Sequence, residues 1–201
     1  MFTGIVETTA RVESLLLHSA GGRLALKHVP FAGELQVGES VAVNGVCLTV
    51  VECGGDCCAF DLLAQTLSLT NLGSLRPDNL VNLERAMRAD SRFSGHFVQG
   101  HVDATVEILA YDPVGQDHRL EVSLPREFQS LVISKGSVCL DGMSLTVAEL
   151  ATDRITVWIT PHTHRVTNLL QAGPGRRMNV EFDMLAKYLS QMLELRGWKT
   201  A

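Results

Sequence analysis

Small polar side chains recur at one spacing in two parts of the sequence. Cys47 and Thr49 stand two residues apart, and Ser144 and Thr146 repeat this arrangement 97 positions later. Residues two apart on a strand point to the same face, so each pair would place a thiol or hydroxyl beside a second hydroxyl. Such a surface suits a flat polar heterocycle held by a few fixed hydrogen bonds. Spacing alone leaves open a second interpretation, in which the hydroxyls are satisfied within an ordinary strand.

Histidines near these pairs are candidates for proton transfer. His96 and His101 are five residues apart, while His162 and His164 are two apart. A spacing of five differs from the i, i+4 spacing of a helical zinc site, and on a strand these two side chains would face opposite sides. A single histidine in proton transfer therefore fits better than a metal cluster, which stays the alternative.

The two polar pairs belong to a long internal duplication. Asn44-Gly45 precedes the first pair and Asp141-Gly142 precedes the second. Three further blocks match in the same order at an offset of 96 or 97. They are Gly4–Glu7 with Gly100–Asp103, Thr70–Leu72 with Thr167–Leu169, and Asn82–Glu84 with Asn179–Glu181. A repeat this long predicts two tandem domains rather than a solenoid.

The elements that must position these residues are short strands. Asn-Gly and Asp-Gly between alternating apolar residues predict β-hairpins, and strands about ten residues apart favour a small antiparallel barrel or sandwich. We expect opening strands at 4–17 and 97–109. The predicted domains are residues 1–92 and 93–182, joined through a polar segment at 86–95, with a C-terminal helix at 183–201.

The C-terminal helix has no counterpart after the first half. From Asp183, a plausible N-cap, the apolar period changes from 2 to 3.6 residues. The resulting stripe consists of Met184, Leu185, Tyr188, Leu189, Met192, Leu193 and Leu195. An amphipathic helix must bury such a stripe, either on its own barrel or between subunits. We favour a contact between subunits.

Composition excludes several classes of function. The net charge is -5, the pI is about 5.8 and no basic run occurs, so a nucleic-acid footprint is absent. No apolar run approaches the roughly 18 residues of a membrane span, and the first residues do not form a signal peptide. Five cysteines, an odd number, are typical of reduced thiols, so we expect a cytoplasmic protein, with a removed organelle transit peptide left open.

The sequence resembles the riboflavin synthase family over nearly its whole length. The motifs that carry the resemblance are Met1–Val6, Val43–Val50, Thr70–Gly73, Val81–Ala86, Gly95–Asp103, Asp141–Val147, Pro161–Thr163, Asn179–Asp183 and Lys187–Tyr188. The resemblance implies an all-β subunit of two six-stranded Greek-key barrels, followed by an α-helix that joins three subunits. It implies a dismutation in which two molecules of 6,7-dimethyl-8-ribityllumazine exchange a four-carbon unit. The products are riboflavin and 5-amino-6-ribitylaminouracil, and no metal or redox cofactor takes part.

The resemblance also implies two similar pockets, one on each barrel, that meet between neighbouring subunits. The N-terminal pocket would use Gly4, Ile5, Val6, Cys47, Leu48, Thr49, Asp61, Leu62, Leu63, Ala64, Gln65 and Thr66. The C-terminal pocket would use Gly100, His101, Val102, Lys135, Ser144, Leu145, Thr146, Thr160, Pro161, His162, Thr163 and His164. An association with lumazine synthase is left open.

Catalytic roles follow from the same resemblance. His101 and Ser144 would assist removal of a proton from the C7 methyl of the donor lumazine. Cys47 and Asp183 would handle proton transfer or addition on the acceptor, and Phe2 would pack on a ring. The sequence departs from the family at Gln65, where members often carry Glu.

Two rival functions remain to be compared with the enzyme. A lumazine- or flavin-binding antenna protein would share the fold without chemistry, and a structural barrel pair would bind no small ligand. Both polar pairs stand in the sequence together with His101 and Asp183, which favours the enzyme.

Overall fold

The computed structural model describes residues 1–197, which form two closed barrels, each of six antiparallel strands. The first barrel consists of β1 (Thr8–His18), β2 (Gly21–Lys27), β3 (Ser40–Val43), β4 (Val46–Gly54), β5 (Cys57–Leu63) and β6 (Leu80–Arg85). The second consists of β7 (Ala104–Val114), β8 (Asp117–Ser123), β9 (Ser137–Leu140), β10 (Met143–Leu150), β11 (Arg154–Ile159) and β12 (Arg177–Phe182). The strand order β1-β2-β5-β4-β3-β6 recurs as β7-β8-β11-β10-β9-β12. The predicted fold of two similar barrels is confirmed.

Short helices occupy equivalent places in the two barrels. They are α1 (Ala64–Leu69) and α2 (Pro161–Val166), with 3-10 turns at Ala32–Glu34, Asn71–Ser74, Arg126–Leu131 and Asn168–Gln171. The last helix, α3 (Met184–Leu195), follows the second barrel. Its predicted extension to residue 201 includes 198–201, which lie outside the described residues. No helix within residues 1–197 is long and apolar enough to cross a membrane.

The duplicated hairpins take the turn that their sequence predicts. Asn44 and Gly45 have φ of 46° and 75°, and Asp141 and Gly142 have φ of 46° and 82°. Positive φ at both central residues is the type I′ turn, whose twist matches that of the flanking strands. Each turn therefore sets the register of the strand that follows, which carries one of the polar pairs.

Each barrel closes around its own apolar core. Alternate residues of the strands point inward, for example Leu24, Val50 and Phe60 in the first barrel and Leu120, Val147 and Val157 in the second. The residues between them point outward, and Cys47, Thr49, Ser144 and Thr146 are among these. The polar pairs thus lie on the outer barrel surfaces, as the strand periodicity predicts.

A buried polar network joins the barrels where the two hairpins meet back to back. It contains Asn44, Asn71, Asn82, Asp141, Asn168 and Asn179, all buried. Asn82 Nδ2 donates to the carbonyl of Asp141 at 2.8 Å, and Asn179 Nδ2 donates to the carbonyl of Asn44 at 2.8 Å. A Cβ on Gly45 would lie 2.7 Å from the nitrogen of Gly142, so only glycine fits this approach. The duplicated Asn and Gly residues therefore hold the barrels together rather than contact a ligand.

Both opening strands begin later than expected. The strand predicted at 4–17 begins at Thr8, and the strand predicted at 97–109 begins at Ala104. The residues before each strand leave their own sheet and cross to the other barrel. We call 3–6 the first crossing segment and 99–102 the second.

Helix α3 presents its apolar stripe to solvent. Asp183 Oδ1 accepts the N–H of Leu185 at 3.0 Å, which confirms the predicted N-cap. The opposite, polar side of the helix faces the 3-10 turn at Arg126–Leu131, and Lys187 pairs with Asp103 at 2.8 Å. Leu185, Tyr188, Leu189, Met192 and Leu195 are 56–79% exposed. The alternative in which the stripe packs on its own barrel is therefore wrong.

Candidate functional site

The crossing segments place the start of each half against the other barrel. The N–H of Ser144 donates to the carbonyl of Gly4 at 2.7 Å, and the N–H of Cys47 donates to the carbonyl of Gly100 at 2.9 Å. A Cβ on Gly4 or Gly100 would lie 2.7 Å from Ser144 Cβ or 2.5 Å from Cys47 Cβ, and both glycines have positive φ. Glycine is therefore required at both crossings.

A buried carboxylate fixes each crossing segment. Glu84 accepts the N–H groups of Thr3 and Gly4 at 2.6 and 2.9 Å. Glu181 accepts those of Gln99 and Gly100 at 2.7 and 2.9 Å, and also that of His101. Burial raises the pKa of both glutamates, and these backbone donors act in the opposite direction. The duplicated Asn-x-Glu motif therefore pairs an interface asparagine with a glutamate that shapes a site.

This crossing corrects the predicted composition of the two pockets. We expected Gly4, Ile5 and Val6 beside Cys47, but Gly4 contacts Ser144 and Val6 packs against the second core. We expected Gly100, His101 and Val102 beside Ser144. Instead Gly100 contacts Cys47 and Val102 packs against the first core. Each site is built from one barrel and the crossing segment that begins the other half.

The first site lies on the outer face of β4 and β5. Val50 pairs with Phe60 across these strands, so the exposed Thr49 and Asp61 lie on neighbouring strands of one surface. Beyond Asp61, Leu62 points into the core, whereas the side chains of Leu63, Ala64 and Gln65 are exposed. Leu48 is likewise a core residue. Thr66 lies in α1, where its carbonyl accepts the hydroxyl of Thr70 at 2.6 Å.

The second site repeats this arrangement on β10 and β11. Ser144 is half-buried, Thr146 is exposed, and Leu145 packs against the second core. Thr160 caps α2, and the helix brings Pro161, His162, Thr163 and His164 to the same end of the barrel. Lys135 is exposed on the loop before β9, and its N–H donates to the carbonyl of Val147 at 2.8 Å.

His96, rather than His101, is the partner of Ser144. His96 Nδ1 lies 2.6 Å from Ser144 Oγ, and its ring is 8% exposed. Burial lowers the pKa of His96, while the negative charge of Asp183 acts in the opposite direction. The other ring nitrogen, Nε2, is buried and has no hydrogen-bond partner among the described residues. A neutral imidazole bonded to a hydroxyl at a site surface can accept a proton from that hydroxyl.

The other predicted catalytic residues are divided between the two sites, with Cys47 and His101 at the first and Asp183 near the second. His101 is exposed on the second crossing segment, and no hydrogen bond within residues 1–197 joins it to Ser144. Asp183 caps α3 and lies near His96, with no contact to Cys47. Phe2 is fully buried between the barrels with Ala42, Val98 and Cys139. The prediction that its ring packs on a ligand is therefore wrong.

Two clefts of the described chain are lined mainly by other residues. One cleft of about 640 Å³ lies between the first barrel and the interdomain segment, and one of about 710 Å³ lies beside α1. Of the predicted site residues, these clefts contain only Ile5 and Ala64. The polar pairs of both candidate sites lie on outer barrel surfaces and not in these clefts, so each candidate site is open on its outer side.

Comparison with known proteins defines the class. The lumazine binding domain family matches the chain twice, at residues 3–86 and 99–183. Two solved structures of LumP, one complexed with riboflavin and one with 6,7-dimethyl-8-(1'-D-ribityl) lumazine, superpose with TM-scores of 0.85 and 0.82. They are 23% identical and cover 90% of this chain, and the chain covers 99% and 98% of them. They share its fold.

Relatives closer in sequence identify the family. The riboflavin synthase of Mycobacterium tuberculosis (strain ATCC 25618 / H37Rv) is 41% identical over 202 residues, which covers 98% of this chain and 100% of that protein. That of Bacillus subtilis (strain 168) is 36% identical over 193 residues, covering 96% and 90%. The chain therefore belongs to the riboflavin synthase family of lumazine-binding proteins.

Proposed function

We propose that the protein is a transferase that converts two molecules of 6,7-dimethyl-8-ribityllumazine into riboflavin and 5-amino-6-ribitylaminouracil, the last step of riboflavin biosynthesis. The observation that carries this proposal is that both sites contain the same three structural parts. Each has a polar pair on a strand, a crossing segment fixed by a buried glutamate, and a short helix at its edge. A reaction between two copies of one substrate needs two such sites.

The physical contribution of paired sites is positioning. Holding two rings face to face converts a bimolecular reaction into an effectively unimolecular one, which can remove about 7–11 kcal/mol from a barrier. Since each site is open within one subunit, we propose that the first site of one subunit faces the second site of its neighbour. This arrangement also excludes water from the reacting rings.

Ser144 and His96 supply a route for the first proton. We propose that the Ser144 hydroxyl takes a proton from the C7 methyl of the donor lumazine as its own proton passes to His96 Nδ1. The 2.6 Å contact and the lowered pKa of His96 support this direction, because the neutral ring is the form that accepts. We propose that Cys47 and His101, which lie on the first site, contact the other lumazine. We also propose that Asp183 takes part in proton transfer or addition on the acceptor.

Turnover with a single substrate tests the proposal directly. Purified protein incubated with 6,7-dimethyl-8-ribityllumazine alone should form one riboflavin for every two lumazines consumed, over many turnovers. Absorbance and chromatography follow both compounds. Tight binding of lumazine without product would instead support the antenna function, and Gln65→Glu would then test whether the residue common in the family restores turnover.

The trimer is the assembly we propose for α3. The exposed apolar stripe of α3 supports a contact between subunits. In a trimer, the three copies of this stripe would pack together around one axis. We retain association with lumazine synthase as a partner to be tested by co-sedimentation. A cytoplasmic location is supported by the five cysteines, all of which are free thiols.

A further inference from the structure

A group of three rings joins α2 to the second barrel. The rings of His118 and His164 lie 4.2 Å apart at 19°, and the rings of Tyr111 and His118 lie 5.2 Å apart at 24°. Tyr111 Oη also lies 2.8 Å from His164 Nδ1. We call Tyr111, His118 and His164 the three-ring stack. Through it, α2 is attached to both β7 and β8.

The first barrel has an apolar group at the same place. The internal repeat aligns Tyr111 with Leu15, His118 with Gly22 and His164 with Leu67. In the first barrel Leu15 and Leu67 pack against the core, and a Cβ on Gly22 would meet Leu67 at 3.4 Å. The two barrels are otherwise similar, so α1 is a built-in reference for α2. Of these two aligned groups, the one beneath α2 contains side chains that can gain a charge near neutral pH, whereas beside α1 the nearby titratable side chain is His18 of β1, which lines the adjoining cleft.

The charge state of the stack follows from its surroundings. Burial raises the pKa of Tyr111 to about 12, so its hydroxyl keeps its proton and can donate a hydrogen bond to the neutral His164 ring at Nδ1. Burial lowers the pKa of His164, and His118 from β8 and Arg165 from α2 add to this effect. His118 Nδ1 is buried without a hydrogen-bond partner among the described residues. The closed stack therefore favours the neutral forms of Tyr111 and His164.

We propose that Tyr111 and His118 are positioning residues of the second site, which hold His164 and thereby α2, and that acidification loosens this hold in the second site alone. The assignment of α2 to a substrate pocket rests on the proposed function, whereas its attachment to the barrel does not. His164 has a pKa below its ordinary value of 6.5 in the closed stack. The open stack therefore binds the proton more readily, and the hold is complete above about pH 6.5 and is lost below it.

Amide hydrogen exchange of the whole protein without ligand tests the attachment. After correction for intrinsic rates, the amides of α2 should lose protection between pH 7.5 and pH 5.5, while those of α1 stay unchanged. His164→Leu, which installs the residue of the first barrel, should abolish this pH dependence. Tyr111→Phe keeps the ring and removes the hydrogen bond, so α2 should lose about threefold to tenfold in protection at pH 7.5 and less at pH 5.5, where the wild type has already lost part of this hold.

Steady-state kinetics tests the connection with the site. With 6,7-dimethyl-8-ribityllumazine, KM of the wild type should rise on acidification by about the factor seen in exchange, and KM of His164→Leu should not. Any acid effect through His96 on kcat is shared by both proteins. Equal responses of α1 and α2 in the exchange experiment, or an unchanged response in His164→Leu, would overturn the proposal. If the α2 amides lose protection on acidification but the protein shows no turnover, the role of the three-ring stack is supported and the proposed function is rejected.

Discussion

We propose that Ser144 and His96 carry the proton transfer of the second site. Their side chains meet at 2.6 Å, one at the surface and one buried, so a proton can leave the substrate side and reach a sheltered base. The sequence showed the serine through its duplication with Cys47. It did not show that His96 is the hydrogen-bond partner of this serine, because the two residues are 48 positions apart. His101, in contrast, is the middle residue of the repeated Gly-x-Val motif and was the more visible candidate.

We predict that Ser144→Ala and His96→Gln each lower kcat about 100-fold, the usual contribution of a positioned proton acceptor. The double variant should lose little more, because the two residues act as one unit. Riboflavin formation at substrate saturation measures this, with Ser19→Ala in an exposed turn as the control. Full activity of Ser144→Ala would reject the proton route.

The pH profile gives an independent measurement of the same pair. Because burial lowers the pKa of His96, the ring stays neutral at neutral pH and becomes protonated only below its ordinary value of 6.5. We predict that kcat of the wild type falls on the acid side of that value and is constant above it. His96→Gln should remove this acid limb from the residual activity. An acid limb that persists in His96→Gln would assign it to another group.

At the scale of secondary-structure elements, α3 has an apolar stripe that its own barrel does not cover. The change of period at Asp183 and the apolar stripe were sufficient to predict the helix and its cap. The direction of the stripe was not predictable, since an amphipathic pattern fits burial on the barrel as well as burial between subunits. The structure shows that Lys187 and its neighbours face the barrel instead.

We predict that Leu189→Glu converts a trimer to monomers and lowers turnover at least about 100-fold, because each site would lose the facing surface of its neighbour. Light scattering after size exclusion measures the mass, and the lumazine assay measures activity on the same fractions. Glu194→Gln, on the side of α3 that faces the barrel, is the matched control. A fully active monomeric Leu189→Glu variant would show that one subunit suffices.

The turns between strands could be predicted from local sequence, whereas the starts of the two opening strands could not. The Asn-Gly and Asp-Gly turns were found from local sequence, because φ above zero at both central residues favours these residue types. Residues 4–7 and 97–103 have the alternation of strands but pair with neither sheet over most of their length. Their path depends on Glu84 and Glu181, which are distant in sequence, so no local pattern could reveal it.

At the scale of the whole molecule, the six buried polar residues between the barrels set the geometry of both sites. Asn82 Nδ2 donates to the Asp141 carbonyl, and Asn82 Oδ1 accepts the N–H of Asn168 at 2.7 Å. The duplication identified these residues in the sequence. Their role between the barrels was not predictable, since Asn-Gly alone indicates only a hairpin.

We predict that Asn82→Ala lowers the free energy of unfolding by about 2–5 kcal/mol, because it leaves two buried groups without partners. Asn179→Ala should have a similar effect, since it makes the equivalent bonds to Asn44 and Asn71. Urea unfolding measures both. Asn79→Ala, which removes one bond in an exposed turn, should cost less than about 1 kcal/mol. Equal losses in all three variants would argue against a special role for the interface.

The crossing segments also constrain how such a molecule can have arisen. A primitive chain with one barrel could not have completed its own site, because the residues that open each half reach only the other barrel. If both halves descend from such a chain, two copies would have had to exchange their first residues, and their pairing would have depended on concentration. Fusing the copies through residues 86–98 made that exchange internal and freed each half to diverge, as the rings beneath α2 and the leucines beneath α1 illustrate.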